Sequence, residues 1–165
     1  MSGPESLAAE WLAMVLLAGL GAPAALPARG SPTSGPFPAV AERVLDGDTV
    51  RVRARIWPGH EVVVDVRLRG IDAPELRGRC PGERGLAVRA REAVEAMVDG
   101  RVLSLRDVTI DKYGGRVVAR LSLPDRTDIG QALLSRGLAH VYEGGARDPR
   151  AWCGGGGPDP GATAR

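Results

Sequence analysis

The chain has 165 residues, with a hydrophobic fraction of 44% and an aromatic fraction of 4%. This length allows one domain of ordinary size, and the scarcity of aromatic residues predicts a core made mainly of Val, Leu, Ile and Ala. The 22 basic and 20 acidic residues give a formal net charge of +2, which is too balanced to indicate nucleic-acid binding by itself.

The first 28 residues differ in composition from the rest. The apolar run "WLAMVLLAGL" precedes small residues that offer cleavage after Ala24 or Ala28. This pattern is typical of a secretory signal peptide, and the run is shorter than the roughly 20 apolar residues of a membrane span. The segment before it carries Glu5 and Glu10 but no Lys or Arg, so a membrane anchor, a disordered tail or a wrongly chosen start codon stay open. We expect residues 1–28 to direct secretion or export to the periplasm.

Composition divides the remaining chain into three parts. Residues 29–39, "RGSPTSGPFPA", are predicted to form a Pro/Ser/Gly linker, residues 40–153 the folded domain, and residues 154–165 a disordered Gly-rich tail. The two cysteines, Cys80 and Cys153, form a disulfide in an oxidising compartment or remain as two free thiols. Two cysteines and two distant histidines cannot make a zinc site.

Strands are indicated by alternation of apolar and polar residues. Residues 50–56, "VRVRARI", alternate strictly and predict a half-buried strand. A Pro-Gly turn follows, and residues 62–71, "VVVDVRLRGI", form the returning strand. Residues 101–110 and 116–123 predict two more strands, joined by "DKYGG".

Two helices are predicted. The first places Leu86, Ala90, Val94 and Met97 on one face and ends at Gly100. The second follows Asp128, which caps the segment "IGQALLSR", and ends at Gly137. We did not detect an internal repeat.

The element order is therefore three strands, one helix, two strands and one helix. Short turns between neighbouring strands indicate an antiparallel sheet, and five strands without edge protection favour a closed small barrel. A helix between the third and fourth strands is typical of the oligonucleotide/oligosaccharide-binding (OB) barrel. The predicted fold class is mainly β with helices, as a five-stranded OB-type barrel, and it fixes no chemistry.

Two acidic motifs lie at strand ends. "VLDGDTV" contains Asp46 and Asp48, and "IDAPE" contains Asp72. Taken alone, the first motif is more typical of an exposed turn than of a site, and the second is similarly ambiguous. In a small barrel the start of the first strand and the end of the third can lie side by side, so Asp48 and Asp72 would converge around a cation. Oxygen ligands without His or Cys suit calcium or magnesium, and the carbonyl of Ala73 offers a third ligand.

Basic residues precede the second motif. Arg67 and Arg69 share a strand face with Ile71 by period-two alternation, and the pattern does not decide which arginine faces a site. An arginine beside a divalent cation suits a phosphodiester, although an isolated arginine in this chain is more often a solvated strand residue. Glu75, just outside the metal pair, is placed to orient or deprotonate a water.

Four motifs together resemble a known family. "VLDGDTVRVR", "VRLRGIDAPE", "DKYGGR" and "LLSRGLAHVY" occur in the order and spacing of the thermonuclease (staphylococcal nuclease-like) family, over about residues 40–153. The resemblance implies a five-stranded OB barrel with helices. It also implies calcium-dependent hydrolysis of DNA and RNA phosphodiesters that leaves 3′-phosphate ends.

The resemblance also implies roles for individual residues. Asp48 and Asp72 match the calcium-binding carboxylates, and Ala73 matches a residue that supplies a backbone carbonyl, where the family reference has threonine. Glu75 matches the proposed general base, and Arg67 matches the first phosphate-binding arginine.

The second phosphate-binding arginine matches less closely. The family pattern Asp-Lys-Tyr-Gly-Arg is here "DKYGGR", with Gly115 inserted before Arg116. One extra residue in a strand turns later side chains to the opposite face unless a bulge absorbs it. We expect Gly115 to form a bulge and Arg116 to face the site; the alternative is an Arg116 that points to solvent.

The resemblance also covers positions around the calcium- and phosphate-binding residues. The resemblance gives Asp46 a supporting role near the metal, Lys112 and Tyr113 contacts with a terminal phosphate and nucleoside, and Tyr142 a base-stacking role. Stacking tolerates any sequence, which fits a nuclease of low specificity.

The chain departs from the family reference at its C-terminus, where "YEGGARDPRAWCGGGG" replaces a further helix. A bond between Cys80 and Cys153 would compensate, since a disulfide typically contributes roughly 2–4 kcal/mol.

Two functions other than nuclease remain open at this stage. One is a non-catalytic OB module that binds single-stranded nucleic acid or another polyanion. The other is an envelope-associated domain in which calcium only orders a loop. Single-stranded DNA or RNA is the expected substrate, no obligate protein partner is inferred, and a monomer is expected.

Overall fold

The computed structural model describes residues 32–112, 114–146, 148 and 151–153. The predicted export segment, the Gly-rich tail from residue 154 onward and Tyr113 lie outside these residues. Among the described residues, no helix combines the length and apolar character needed to cross a membrane.

The described part of the chain contains seven strands and two helices. In chain order they are β1 (Phe37–Asp46), β2 (Thr49–Trp57), β3 (His60–Leu68), β4 (Ile71–Asp72), α1 (Pro81–Val98), β5 (Val102–Ile110), β6 (Arg116–Ser122), α2 (Ile129–Ser135) and β7 (His140–Val141).

Five strands close into a barrel in the order β1-β2-β3-β6-β5, as expected for an OB-type fold. All neighbours are antiparallel except β3 and β6, which pair in parallel. Short turns alone predicted an antiparallel sheet, but α1 and β5 lie between β3 and β6 and provide the long crossover that a parallel pair needs. Closure leaves no open edge in the barrel.

Small and branched aliphatic side chains fill the barrel, as the low aromatic content predicted. Val50, Val52 and Val66 are completely buried, and Leu103 and Leu121 are each 1% exposed. Each fully buried side chain of this size contributes roughly 1.5–3 kcal/mol relative to an exposed one.

The barrel begins earlier than the sequence indicated. β1 starts at Phe37, within the last three residues of the predicted linker, and Phe37 pairs with Leu105 of β5. The Phe37 side chain packs against the core, which explains why these residues join the sheet.

The prediction of one continuous strand over residues 62–71 was wrong. β3 ends at Leu68, and Gly70 adopts a φ of +80°, a conformation that glycine tolerates best. Ile71 and Asp72 then form a separate two-stranded sheet with β7. Alternation therefore cannot be carried from Arg67 to Ile71, and Ile71 is buried in the core.

Helix α1 presents most of the expected face: Ala90, Val94 and Met97 are buried, and Leu86 is half-buried. It packs directly on the turn between β1 and β2. A Cβ atom on Gly47 would lie 2.7 Å from Ala90 Cβ and 2.9 Å from Ala73 Cβ. Glycine at this position lets the turn that carries the acidic motif approach the helix.

Both helices begin with side-chain caps. Asp128 accepts a hydrogen bond from Gln131 N at 3.0 Å, as predicted. Cys80 caps α1 and is joined to Cys153 by a disulfide, which is one of the two alternatives that the sequence left open. Beside it, the Trp152 ring stacks on His140 with centroids 3.8 Å apart.

Candidate active site

Arg67 holds the two motif aspartates together. Its Nη1 donates to Asp48 Oδ1 at 3.0 Å, and its Nη2 donates to Asp72 Oδ1 at 3.1 Å. Only 15% of the Arg67 side chain is exposed. The predicted convergence of the two acids therefore exists, with the guanidinium of the matched phosphate-binding arginine between them.

Asp48 lies in the two-residue turn between β1 and β2, next to the Asp46–Thr49 pair. It is 2% exposed, and its Oδ2 accepts a hydrogen bond from Ala73 N at 3.2 Å. Burial raises the pKa of Asp48 to about 6; the Arg67 charge opposes this rise and Asp46 adds to it. A buried carboxylate of this kind needs a cationic partner.

These residues fit a hard divalent cation. Asp48 and Asp72 already share one cationic group, and both offer only carboxylate oxygens as ligands. The Ala73 N–H donates to Asp48, which places the Ala73 peptide beside that carboxylate. Calcium and magnesium prefer such ligands.

A cavity of about 820 Å³ opens beside this cluster. The predicted site residues in its wall are Asp46, Arg67, Glu75, Lys112, Arg116 and Tyr142. It thus brings both matched arginines and the matched base to one space, although they come from β3, β6 and the loop before α1.

Arg116 is the first residue of β6 and pairs in register with Asp65 of β3. Its guanidinium forms an ion pair with the buried carboxylate of Asp111. Gly114 and Gly115, with φ of +68° and +71°, lie in the connection before the strand. The bulge expected at Gly115 does not form, because Gly115 lies in the connection before β6 and not in a strand. The irregularity in the β5–β6 pairing lies between Arg106 and Thr109 of β5.

Arg67 in β3 and Arg69 just after it bind different partners. Arg69 donates through Nη2 to Asp107 O at 2.7 Å and to Thr109 Oγ1 at 2.8 Å. It therefore binds the irregular part of β5, while Arg67 binds the acidic motifs. Both arginines line the cavity, and their hydrogen-bond partners distinguish them.

Tyr142 and Lys112 form the outer part of the cavity. The Tyr142 hydroxyl donates to Gly145 O at 2.7 Å, and the Arg67 guanidinium carbon lies 6.0 Å from the centre of the Tyr142 ring. Lys112 is exposed in the same wall.

The family model described as "Staphylococcal nuclease homologue" matches residues 65–151, which is more than half of the chain. This chain belongs to the family of staphylococcal nuclease homologues.

Curated relatives agree with this assignment. A protein named "Uncharacterized endonuclease" from Escherichia coli is 31% identical over 110 residues, covering 65% of this chain and 62% of the relative. A "Probable endonuclease" from Schizosaccharomyces pombe is 34% identical over 87 residues, covering 49% of this chain and 37% of the relative. This staphylococcal nuclease homologue thus spans about three fifths of the length of the Escherichia coli protein.

Two buried acids of this staphylococcal nuclease homologue were missed by sequence reasoning. Asp111, the first residue of "DKYGGR", binds Arg116, and a carboxylate five residues before an arginine in a turn is the only sequence signal for this pair. Glu83 lies in the first turn of α1, where an acid three residues after a helix cap is a recognisable signal. It also lies close to Cys80 and Cys153, but these sulfurs are bonded to each other and the group is not a metal site.

Proposed function

We propose that this chain is a calcium-dependent nuclease that hydrolyses phosphodiester bonds of DNA or RNA and leaves 3′-phosphate ends. The observation that carries the proposal is the common cavity of Arg67, Glu75 and Arg116, with Arg67 in contact with the Asp48–Asp72 pair. The endonuclease names of the relatives support nuclease activity.

The arginines supply the phosphate-binding groups. Guanidinium forks form short, charge-assisted hydrogen bonds to phosphate oxygens. Arg67 and Arg116 line the same cavity from adjacent strands, so both can bind the scissile group. Donors fixed in this way stabilise the negative charge that gathers on the oxygens in the transition state.

Asp48, Asp72 and the peptide of Ala73 would hold the calcium ion. Bound there, calcium would add two positive charges to those that the arginines bring to the phosphate site. Without it, the single charge of Arg67 is paired with two aspartates, and we expect the calcium-free protein to bind nucleic acid weakly.

Glu75 supplies the base. Its side chain is exposed and lines the cavity that contains both arginines. A carboxylate in this position takes a proton from a water that attacks the phosphorus in line, and the 5′-oxygen leaves. The ring of Tyr142, in the same wall, offers a stacking surface for a base.

Hydrolysis of a 5′-labelled single-stranded DNA oligonucleotide, with calcium or with a chelator, tests the proposal. We expect cleavage with calcium only, and products that a polymerase extends only after phosphatase treatment. Cleavage that is equal in chelator, or products with free 3′-hydroxyl ends, would contradict the calcium dependence or the end chemistry. Binding without cleavage would favour the non-catalytic OB module.

We also propose that the protein acts outside the cytoplasm. The Cys80–Cys153 disulfide supports this location, because such bonds persist in oxidising compartments. N-terminal sequencing of the protein from producing cells should show a new terminus after Ala24 or Ala28. Recovery of the intact N-terminus from the cytoplasmic fraction would contradict export.

A further inference from the structure

Glu83 is a buried carboxylate to which the reaction described above gives no role. It is 7% exposed and lies in the first turn of α1. A buried carboxylate is retained in a fold only where hydrogen bonds or charges compensate its lost hydration.

Glu83 binds the backbone of the Glu75 loop at two points. Its Oε2 accepts a hydrogen bond from Arg79 N at 2.8 Å, and its Oε1 accepts one from Glu75 N at 3.4 Å. The loop between these peptides is closed by a bond from Gly78 N to Glu75 O at 2.8 Å. One carboxylate therefore fixes both ends of the turn that begins at Glu75.

The loop leaves space for the Glu83 carboxylate. A Cβ atom on Gly78 would lie 2.6 Å from Glu83 Oε2, so glycine leaves the space that the carboxylate fills. On the other side of the loop, Asp48 Oδ2 accepts from Ala73 N at 3.2 Å. The segment from Ala73 to Arg79 is thus held between two buried carboxylates, one from the β1–β2 turn and one from α1.

We propose that Glu83 is a positioning residue that fixes the Glu75 peptide and so aims the Glu75 carboxylate at the attacking water. This inference rests on the proposed nuclease function. Displacement of a reacting group by about 1 Å can cost about a hundredfold in rate. Loss of Glu83 should therefore lower kcat and leave KM nearly unchanged, because the Glu83 carboxylate binds the peptides of Glu75 and Arg79 and not the proposed phosphate-binding arginines.

A double-mutant cycle on the full-length protein tests the inference. With calcium and single-stranded DNA, we expect Glu83→Ala to lower kcat about 10- to 100-fold. In a Glu75→Gln background the same change should lower kcat by less than about twofold, because residues that act as a unit are not additive. Glu92→Ala, an exposed acid on α1, is the matched control and should leave kcat unchanged.

Amide hydrogen exchange supplies a readout that does not depend on activity. In Glu83→Ala we expect exchange at Glu75 and Arg79 to rise by at least about tenfold, since each amide loses its acceptor. Exchange at Ala73, which donates to Asp48, should stay unchanged. If Glu83→Ala does not fold, Glu83→Gln takes its place, because its amide keeps one acceptor and should show smaller changes in the same direction.

The outcomes separate this inference from the function on which it rests. A wild-type rate that Glu75→Gln leaves unchanged would overturn the proposed function and the inference together. A Glu75-dependent rate that Glu83→Ala does not alter, or alters equally in both backgrounds, would overturn the inference alone. Unchanged exchange at Glu75 and Arg79 would also overturn it.

Discussion

Arg67 contacts two carboxylates through the two ends of one guanidinium, at 2.9 Å from Asp48 and 3.1 Å from Asp72. The planar guanidinium holds both contacts in a fixed geometry. Because Asp48 is buried, its charge depends on this partner, and the pKa of Asp48 is nevertheless raised to about 6 by burial. Arg67 therefore contributes to stability as well as to the proposed reaction.

Arg67→Lys should lower both the stability of the protein and its rate of DNA hydrolysis. A lysine ammonium cannot contact the two carboxylates with the same geometry, so we expect the free energy of unfolding without calcium to fall by about 1–3 kcal/mol. The rate of DNA hydrolysis with calcium should fall about 10²–10³-fold. Urea denaturation and initial rates measure the two effects.

Arg51→Lys is the matched control, because Arg51 pairs with Asp65 on the exposed side of the barrel. It should cost less than about 1 kcal/mol and leave the rate unchanged. Equal losses of stability in the two variants would contradict the account of Arg67.

At the same scale, the sequence predicted the convergence of Asp48 and Asp72 but not the groups that hold the Glu75 loop. The aspartates lie at the ends of strands that alternation predicts, and a small barrel brings these strand ends together. Glu83 acts through peptides in an irregular segment, where no periodicity tells which N–H groups point toward a helix. Tyr113 lies outside the described residues, and its role stays a prediction.

At the scale of elements, α1 is placed by small residues. Gly47 lies against Ala90 and Ala73, so the turn that carries Asp48 is packed under the helix. The sequence assigned Gly47 no role beyond the turn, because a close approach between distant segments leaves no local pattern. Gly85, in contrast, has no atom within 4 Å of an added Cβ.

The two glycines should respond oppositely to alanine. Gly85→Ala should raise the free energy of unfolding by about 0.5–1 kcal/mol, because alanine favours a helix interior. Gly47→Ala should lower it by about 1–3 kcal/mol, because the new methyl group forces the turn away from α1. Chemical denaturation of both variants measures the difference, and a stable Gly47→Ala protein would contradict the close packing.

At the scale of the whole molecule, closure of the barrel was predictable from strand number and order, because five strands with open edges are unfavourable. The sequence did not predict the parallel β3–β6 pair or the short β4–β7 sheet, because both are pairings between distant segments. The disulfide is similar: sequence left it as one of two alternatives, and the fold brings Cys80 and Cys153 together across 73 residues.

Reduction of this disulfide should destabilise the protein. It joins the start of α1 to Cys153, next to the Trp152 ring that stacks on His140. A bond that closes a loop of this size restricts the unfolded chain and so raises the free energy of unfolding by about 2–5 kcal/mol. We expect a lower melting temperature with reductant. The Cys80→Ser/Cys153→Ser variant should melt at that lower temperature under both conditions, and an unchanged melting temperature of the wild type would contradict a stabilising bond.

The central claim is that Glu75 activates water in a cavity formed with Arg67 and Arg116. It is tested most directly by the calcium-dependent rate of single-stranded DNA hydrolysis in the wild type, in Glu75→Gln and in the Glu92→Gln control. The account predicts a loss of about a hundredfold or more in Glu75→Gln and a wild-type rate in Glu92→Gln. Equal rates in all three proteins, or no hydrolysis in the wild type, would contradict it.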